Sequence, residues 1–146
     1  METIYKWFGG LFSSDLAEHL SGWDETAGDY VKTNLFSLVG AITLCIAILF
    51  CVSYYYIINH PRFNRWWNWL SVLFVLAVLN FGIALWLTIS DLSKGNISSD
   101  IASVSVVDCI SFGFVNLIIG SLFFIICSLI IKWGSRNCKF SPFIKF

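Results

Sequence analysis

The sequence predicts an all-α integral membrane protein with three transmembrane helices, N-terminus outside and C-terminus inside, preceded by short amphipathic N-terminal helices. Three observations carry this. First, Leu35 to Ile58, Leu70 to Ile89 and Ile110 to Ile131 are apolar runs without Asp, Glu, Lys or Arg. Each has roughly the 20 residues needed to cross a ~30 Å hydrocarbon core. Second, composition is 58% apolar and 12% charged, with mean hydropathy +0.78, against ~45–50% apolar in soluble domains. Third, charge segregates across the runs. The stretch before the first run and the one between the second and third hold every carboxylate: Glu2, Asp15, Glu18, Asp24, Glu25, Asp29, Asp91, Asp100 and Asp108. They carry only Lys6, Lys32 and Lys94 as bases. The other two flanks hold Arg62, Arg65, Lys132, Arg136, Lys139 and Lys145 and no carboxylate. Because positive charge stays on the cytoplasmic side, Arg62, Arg65, Lys132, Arg136 and Lys139 are the topology-determining residues.

Residues 1–33 form an external amphipathic segment. Ile4, Phe8, Leu11, Phe12, Leu16, Leu20 and Trp23 recur at spacings of three or four, along one side of a helix. Gly9 and Gly10 interrupt it, and Ser13 to Asp15 offer a fresh N-cap, so two short helices are expected. Trp7, Phe8, Phe12, Leu16, Leu20 and Trp23 are candidate contacts with a partner or with the membrane surface. Membrane-surface helices usually carry Lys and Arg on the polar face. This segment carries Asp and Glu instead, so a protein partner competes with the bilayer for it. No cleaved signal is expected, since the chain opens with Glu2 and aromatic residues rather than a basic region and a short apolar one.

The transmembrane domain occupies residues 34–131. Asn34 can cap its first helix. Tyr54 to Tyr56 and Trp66, Trp67 and Trp69 bracket a turn with Pro61, as expected of aromatic residues gathering at a membrane–water boundary. Trp86 and Trp133 are read as boundary anchors likewise. The loop between Asp91 and Asp108 is longer and rich in Ser and Asp. Residues 132–146 make a basic cytoplasmic tail with aromatic anchors.

Within the spans, small and polar positions are where helices pack or oligomerise, because lipid tails are as apolar as Leu and give helices no hydrophobic reason to associate. Ser37, Ala41 and Cys45 recur at i, i+4 and i+8, with Gly40 beside them. Gly113, Asn116 and Gly120 line one face of the third span. Thr43, Asn80 and Asn116 lie roughly 9–14 Å below the same boundary, at 1.5 Å per residue. A hydrogen bond between Asn80 and Asn116, within one subunit or between copies and with Thr43 near, is the expected polar contact.

No metal or cofactor is expected. The five cysteines form no CxxC or Cys/His cluster and read as packing residues; Cys138 alone would be open to acylation. His19 and His60 fall on opposite sides of the membrane in this topology and read as interface or surface residues. No carboxylate pair lies within a span, so acid–base or metal chemistry has nothing to use, and no enzyme is expected. A formal charge of zero gives no basis for a nucleic-acid partner. The expected partners are the lipid bilayer and further copies or other membrane-complex subunits, in a cell membrane, by its look a bacterial inner membrane. The expected role is a non-enzymatic structural or anchoring subunit of an oligomeric inner-membrane or envelope-spanning assembly. The alternative is a self-assembling pore or ion channel, for which the spans lack the charge at depth that usually marks a conducting route.

Overall fold

In lipid a backbone must satisfy its own hydrogen bonds, and a helix does so within a single segment. The computed structural model, which describes residues 2–24, 28–58, 65–94 and 104–134, is accordingly helical along each apolar run. Helices α1 (Glu2–Trp7) and α2 (Ser14–Ser21) precede three long ones: α3 (Leu35–Val52), α4 (Trp66–Ser93) and α5 (Val106–Ile131). A short 3-10 turn, Gly9–Leu11, joins α1 to α2, and another, Lys132–Gly134, follows α5. Helix α3 runs on through a π-helical segment, Ser53–Ile58, giving a continuous span of 24 residues. Together with α4 and α5, of 28 and 26 residues, it provides three helices long and apolar enough to cross a membrane. The chain is an all-α membrane protein.

The second and third spans outrun the apolar stretches that predict them. Helix α4 continues through Ser90 and Asp91 to Ser93, and α5 starts before Asp108. Aqueous ends allow this, because a charged side chain there stays hydrated or paired while the backbone keeps its helical bonds.

The N-terminal helices form for local reasons. Ser13 is the N-cap of α2, its hydroxyl accepting from the Leu16 N–H at 3.3 Å. The helix closes on Gly22, whose φ of 95° lies in the left-handed region. Its N–H reaches the His19 carbonyl (3.0 Å) while the Trp23 N–H reaches that of Glu18 (3.2 Å). Only glycine fits here, since a Cβ would collide with the Lys32 carbonyl, and glycine adopts this conformation without steric penalty. The Gly22 carbonyl accepts from the Lys32 N–H at 3.0 Å, turning the chain back toward α3. Asn34 caps α3 as expected, its Oδ1 accepting from the Ser37 N–H at 3.0 Å.

Two compact units share the long helices: Met1–Ile42 with Asn80–Leu117, and Thr43–Leu79 with Ile118–Phe146. The first packs Tyr5, Phe12, Phe36 and Phe112 into one aromatic core, with ring centroids 5.4 to 6.2 Å apart. Edge-to-face and tilted pairs at such distances contribute beyond simple burial. The second is built around Ala47, Cys51, Tyr54, Tyr55, Trp69, Leu76 and Phe124, all buried. Tyr54 and Tyr55, expected at the membrane boundary, turn into this core; only Tyr56 of the three is exposed.

Candidate functional site

The first unit contains a polar centre that the N-terminal segment completes. Asn116, on α5, is fully buried, and both ends of its amide are used. Its Nδ2 donates to the backbone carbonyl of Asn80 on α4 at 2.8 Å, and its Oδ1 accepts from the Tyr5 hydroxyl at 2.6 Å. The Tyr5 ring lies between Phe36 and Phe112 and is itself fully buried. A residue from the first turns of the chain thus delivers a hydroxyl to an asparagine 111 positions away.

Three further contacts fasten the same segment. The Ser13 N–H donates to Asp108 Oδ1 at 3.1 Å, while Asp108 Oδ2 accepts from the Ser105 N–H at 2.9 Å. One carboxylate thereby caps α5 and holds the start of α2. Nε2 of His19 lies 3.4 Å from Asp91 Oδ2 on α4. Glu2 bonds both ways, its Oε2 accepting from Asn34 Nδ2 at 2.8 Å and its Oε1 lying 2.6 Å from Lys6 Nζ. These two partners, Lys6 first and Asn34 second, hold the Glu2 carboxyl below its ordinary 4.5.

A folded pKa below the unfolded one means that the Glu2 contribution is complete above pH 4.5 and fades as pH falls from there through the lower, folded value. Its size is small, as expected of a partly exposed pair. Protection of the α1 amides, taken against the intrinsic exchange rate at each pH, is therefore expected to fall modestly on acidification below pH 4.5, and Glu2→Gln to flatten that fall. An identical acid profile in both proteins would remove Glu2 from the fastening.

Most of the sequence-predicted packing residues are buried. Asn80, Gly113, Asn116 and Gly40 are buried in the first unit, and a Cβ on Gly113 would lie 2.9 Å from the Phe81 ring, so glycine permits that approach. Thr43 and Gly120 are buried and belong to the second unit. Ser37 and Ala41 are instead exposed. The expected Asn80–Asn116 pair exists in altered form, because Asn116 bonds the backbone of Asn80 rather than its side chain. Both the Oδ1 and Nδ2 of Asn80 are buried without a hydrogen-bond partner.

The N-terminal face is also rotated from the one expected. Phe12, Leu16 and Leu20, read as contacts with a partner or a membrane surface, are buried against the chain itself. Of the others, Trp7 is 87% exposed, Phe8 is half-buried, and Trp23 packs edge-on against Tyr30. His19, read as an interface or surface residue, is buried with its ring beside Asp91, which rules out the surface position. Tyr5 was missed altogether. The inward positions Tyr5, Phe12, Leu16 and Leu20 are spaced by seven, four and four, a helical stripe masked by the more apolar Ile4 and Leu11 beside it, which stay exposed.

Arg65 is exposed, and its carbonyl accepts the first backbone bonds of α4. Lys132 is half-buried in the turn after α5. Arg62, Arg136, Lys139, His60 and Cys138 lie outside the described residues.

The second unit has its own polar hub, unmarked in the sequence. Ser128 is buried; its hydroxyl shares a hydrogen bond with that of Tyr55 and accepts from Trp69 Nε1 at 3.1 Å. Cys51 donates to the Phe124 carbonyl at 3.5 Å. These contacts tie α3, α4 and α5 together through otherwise costly polar groups. Among the described residues no group of three His, Cys, Asp or Glu side chains is placed to hold a metal ion. No protein-family model, curated protein or solved structure matches the chain.

Proposed function

We propose that this chain is a non-enzymatic structural subunit, a three-helix membrane anchor that holds a partner protein through its N-terminal cap. One observation carries the reading: the cap has two differently employed sides. Its inward side, Tyr5, Phe12, Leu16 and Leu20, is spent on the chain's own spans. Its outward side leaves Trp7, Leu11, Tyr30 and Val31 more than half exposed, and along the segment the carboxylates Glu2, Asp15, Glu18, Asp24 and Asp29 outnumber Lys6 and Lys32. Exposed aromatic and aliphatic side chains on an acidic segment suit a protein partner with a basic, apolar face. An anionic lipid surface would repel them. Under the positive-inside rule this cap stands on the external face and the basic tail in the cytoplasm. The buried amide of Asn116 and hydroxyl of Ser128 are engaged in packing contacts, which supports a structural role for the spans over a water-lined path.

Extraction from the native membrane in mild detergent, with the particle mass and co-purifying chains determined, tests the proposal. Recovery with other proteins, abolished by the pair Trp7→Glu and Leu11→Glu with the bundle still folded, is the expected result. A closed ring of identical copies that conducts ions after reconstitution would replace it with the pore reading.

A further inference from the structure

Helix α3 loses its regular winding in Ser53–Ile58, where the π-helical turn is wider than an α-turn. Such turns cluster at functional sites. Here the widened turn lets two adjacent rings, Tyr54 and Tyr55, both face inward. Ser53 is left as a small side chain opposite another, Ser71 on α4. Ser71 folds its hydroxyl back onto the Trp67 carbonyl at 2.9 Å, so it presents little polarity to the space beside it. A groove of about 300 Å³ results, with Phe50, Ser53, Tyr54 and Ile58 on one wall and Ser71 and Val75 on the other.

We propose that this groove seats one acyl chain of a phospholipid from the surrounding bilayer. Its walls stand on the perimeter of a membrane protein, since Ile58, Ser71 and Val75 are exposed, so the medium outside it is hydrocarbon. Its dimensions select among apolar occupants. A space of about 300 Å³ suits a stretch of one hydrocarbon chain and is far too small for a helix, which is ~10–12 Å across. The groove runs from apolar depth toward the end of the span. Arg65 lies six residues before Ser71, ~9 Å further along α4 by helical rise, and is exposed. A guanidinium there suits an anionic headgroup whose tail lies in the groove.

The test uses the full chain in vesicles containing phosphatidylglycerol with a diazirine midway along one acyl chain, with photoadducts mapped by mass spectrometry. Adducts on the peptides carrying Ser53, Ser71 and Val75 are expected to exceed those on the exposed face of α5 around Ile126 and Ile130 at least threefold. Ser71→Phe, at an exposed position, should fill the groove and cut groove adducts at least threefold while α5 labelling stays constant. Val75→Trp fills it from the same wall and serves as the second variant, each checked for a monodisperse particle. Equal labelling of all exposed faces, meaning annular lipid only, would overturn the proposal. So would unchanged groove labelling in both filled variants, or cross-links from the groove to a second protein chain.

Discussion

Tyr5→Ala is expected to detach the N-terminal cap, with the amides of residues 2–24 losing protection against hydrogen exchange by two orders of magnitude or more. The ring fills a closed site between Phe36 and Phe112, and truncating a buried aromatic side chain costs about 3–5 kcal/mol. At 1.4 kcal/mol per factor of ten, the upper limit is set by the stability of the docked state itself. Tyr5→Phe separates packing from hydrogen bonding. It keeps the ring but removes the donor to the buried Asn116 Oδ1, which costs about 1–3 kcal/mol, so exchange should rise about five- to 150-fold, less than in Tyr5→Ala, which loses the ring as well. Comparable loss in both variants would mean that the hydroxyl, not the ring, holds the cap. No change in either would mean that the cap is not docked through Tyr5 at all.

That Tyr5 escaped the sequence reading while the spans did not has a physical reason. A span is declared by solvent: every residue from Leu35 to Ile58 must tolerate hydrocarbon whatever its neighbours, so composition alone marks it. The face of a short helix is declared by its partner. Ile4, Phe8 and Leu11 outscore Tyr5 in apolarity, but the site awaiting the helix is polar at its floor, where Asn116 stands, and aromatic on its sides. An amphipathic ring with a donor at its tip fits it, and an aliphatic side chain does not. The same logic hid Asp91 and Asp108. As charges beyond the apolar runs they signalled the ends of helices, whereas they act as receptors for His19 and for the Ser13 N–H. Depth counting did place Asn80 and Asn116 at one level. It could not reveal that one amide would be doubly bonded and the other left without a partner, because helix rotation decides which way each amide points.

That difference yields unequal effects for two substitutions that look alike. Asn116→Leu removes the acceptor for the Tyr5 hydroxyl and the donor to the Asn80 carbonyl. Intramembrane hydrogen bonds contribute about 0.6–2 kcal/mol each, and a buried hydroxyl left without its partner adds about 1–3 kcal/mol. A loss of about 2–7 kcal/mol is expected, with the cap loosened as in Tyr5→Ala. Asn80→Leu removes no hydrogen bond, since neither atom of its side-chain amide has a partner. It relieves a buried polar group whose desolvation costs about 1–3 kcal/mol. Against this stands overpacking by a branched side chain, of about 1–3 kcal/mol, which Asn80→Ala avoids. Asn80→Leu should therefore fall within about 1 kcal/mol of the parent protein. Asn80→Ala sets a small cavity against the same relief and should lie close to it. Unfolding of the detergent-solubilised chain, with each variant compared at constant detergent, reads both effects. Equal destabilisation by Asn80→Leu and Asn116→Leu, shared by Asn80→Ala and so not due to overpacking, would show that the Asn80 amide has a partner, a bound water or other small polar species, since a fully buried side chain is out of reach of a neighbouring copy. The centre beneath the cap would then be a hydrated site rather than a packing joint.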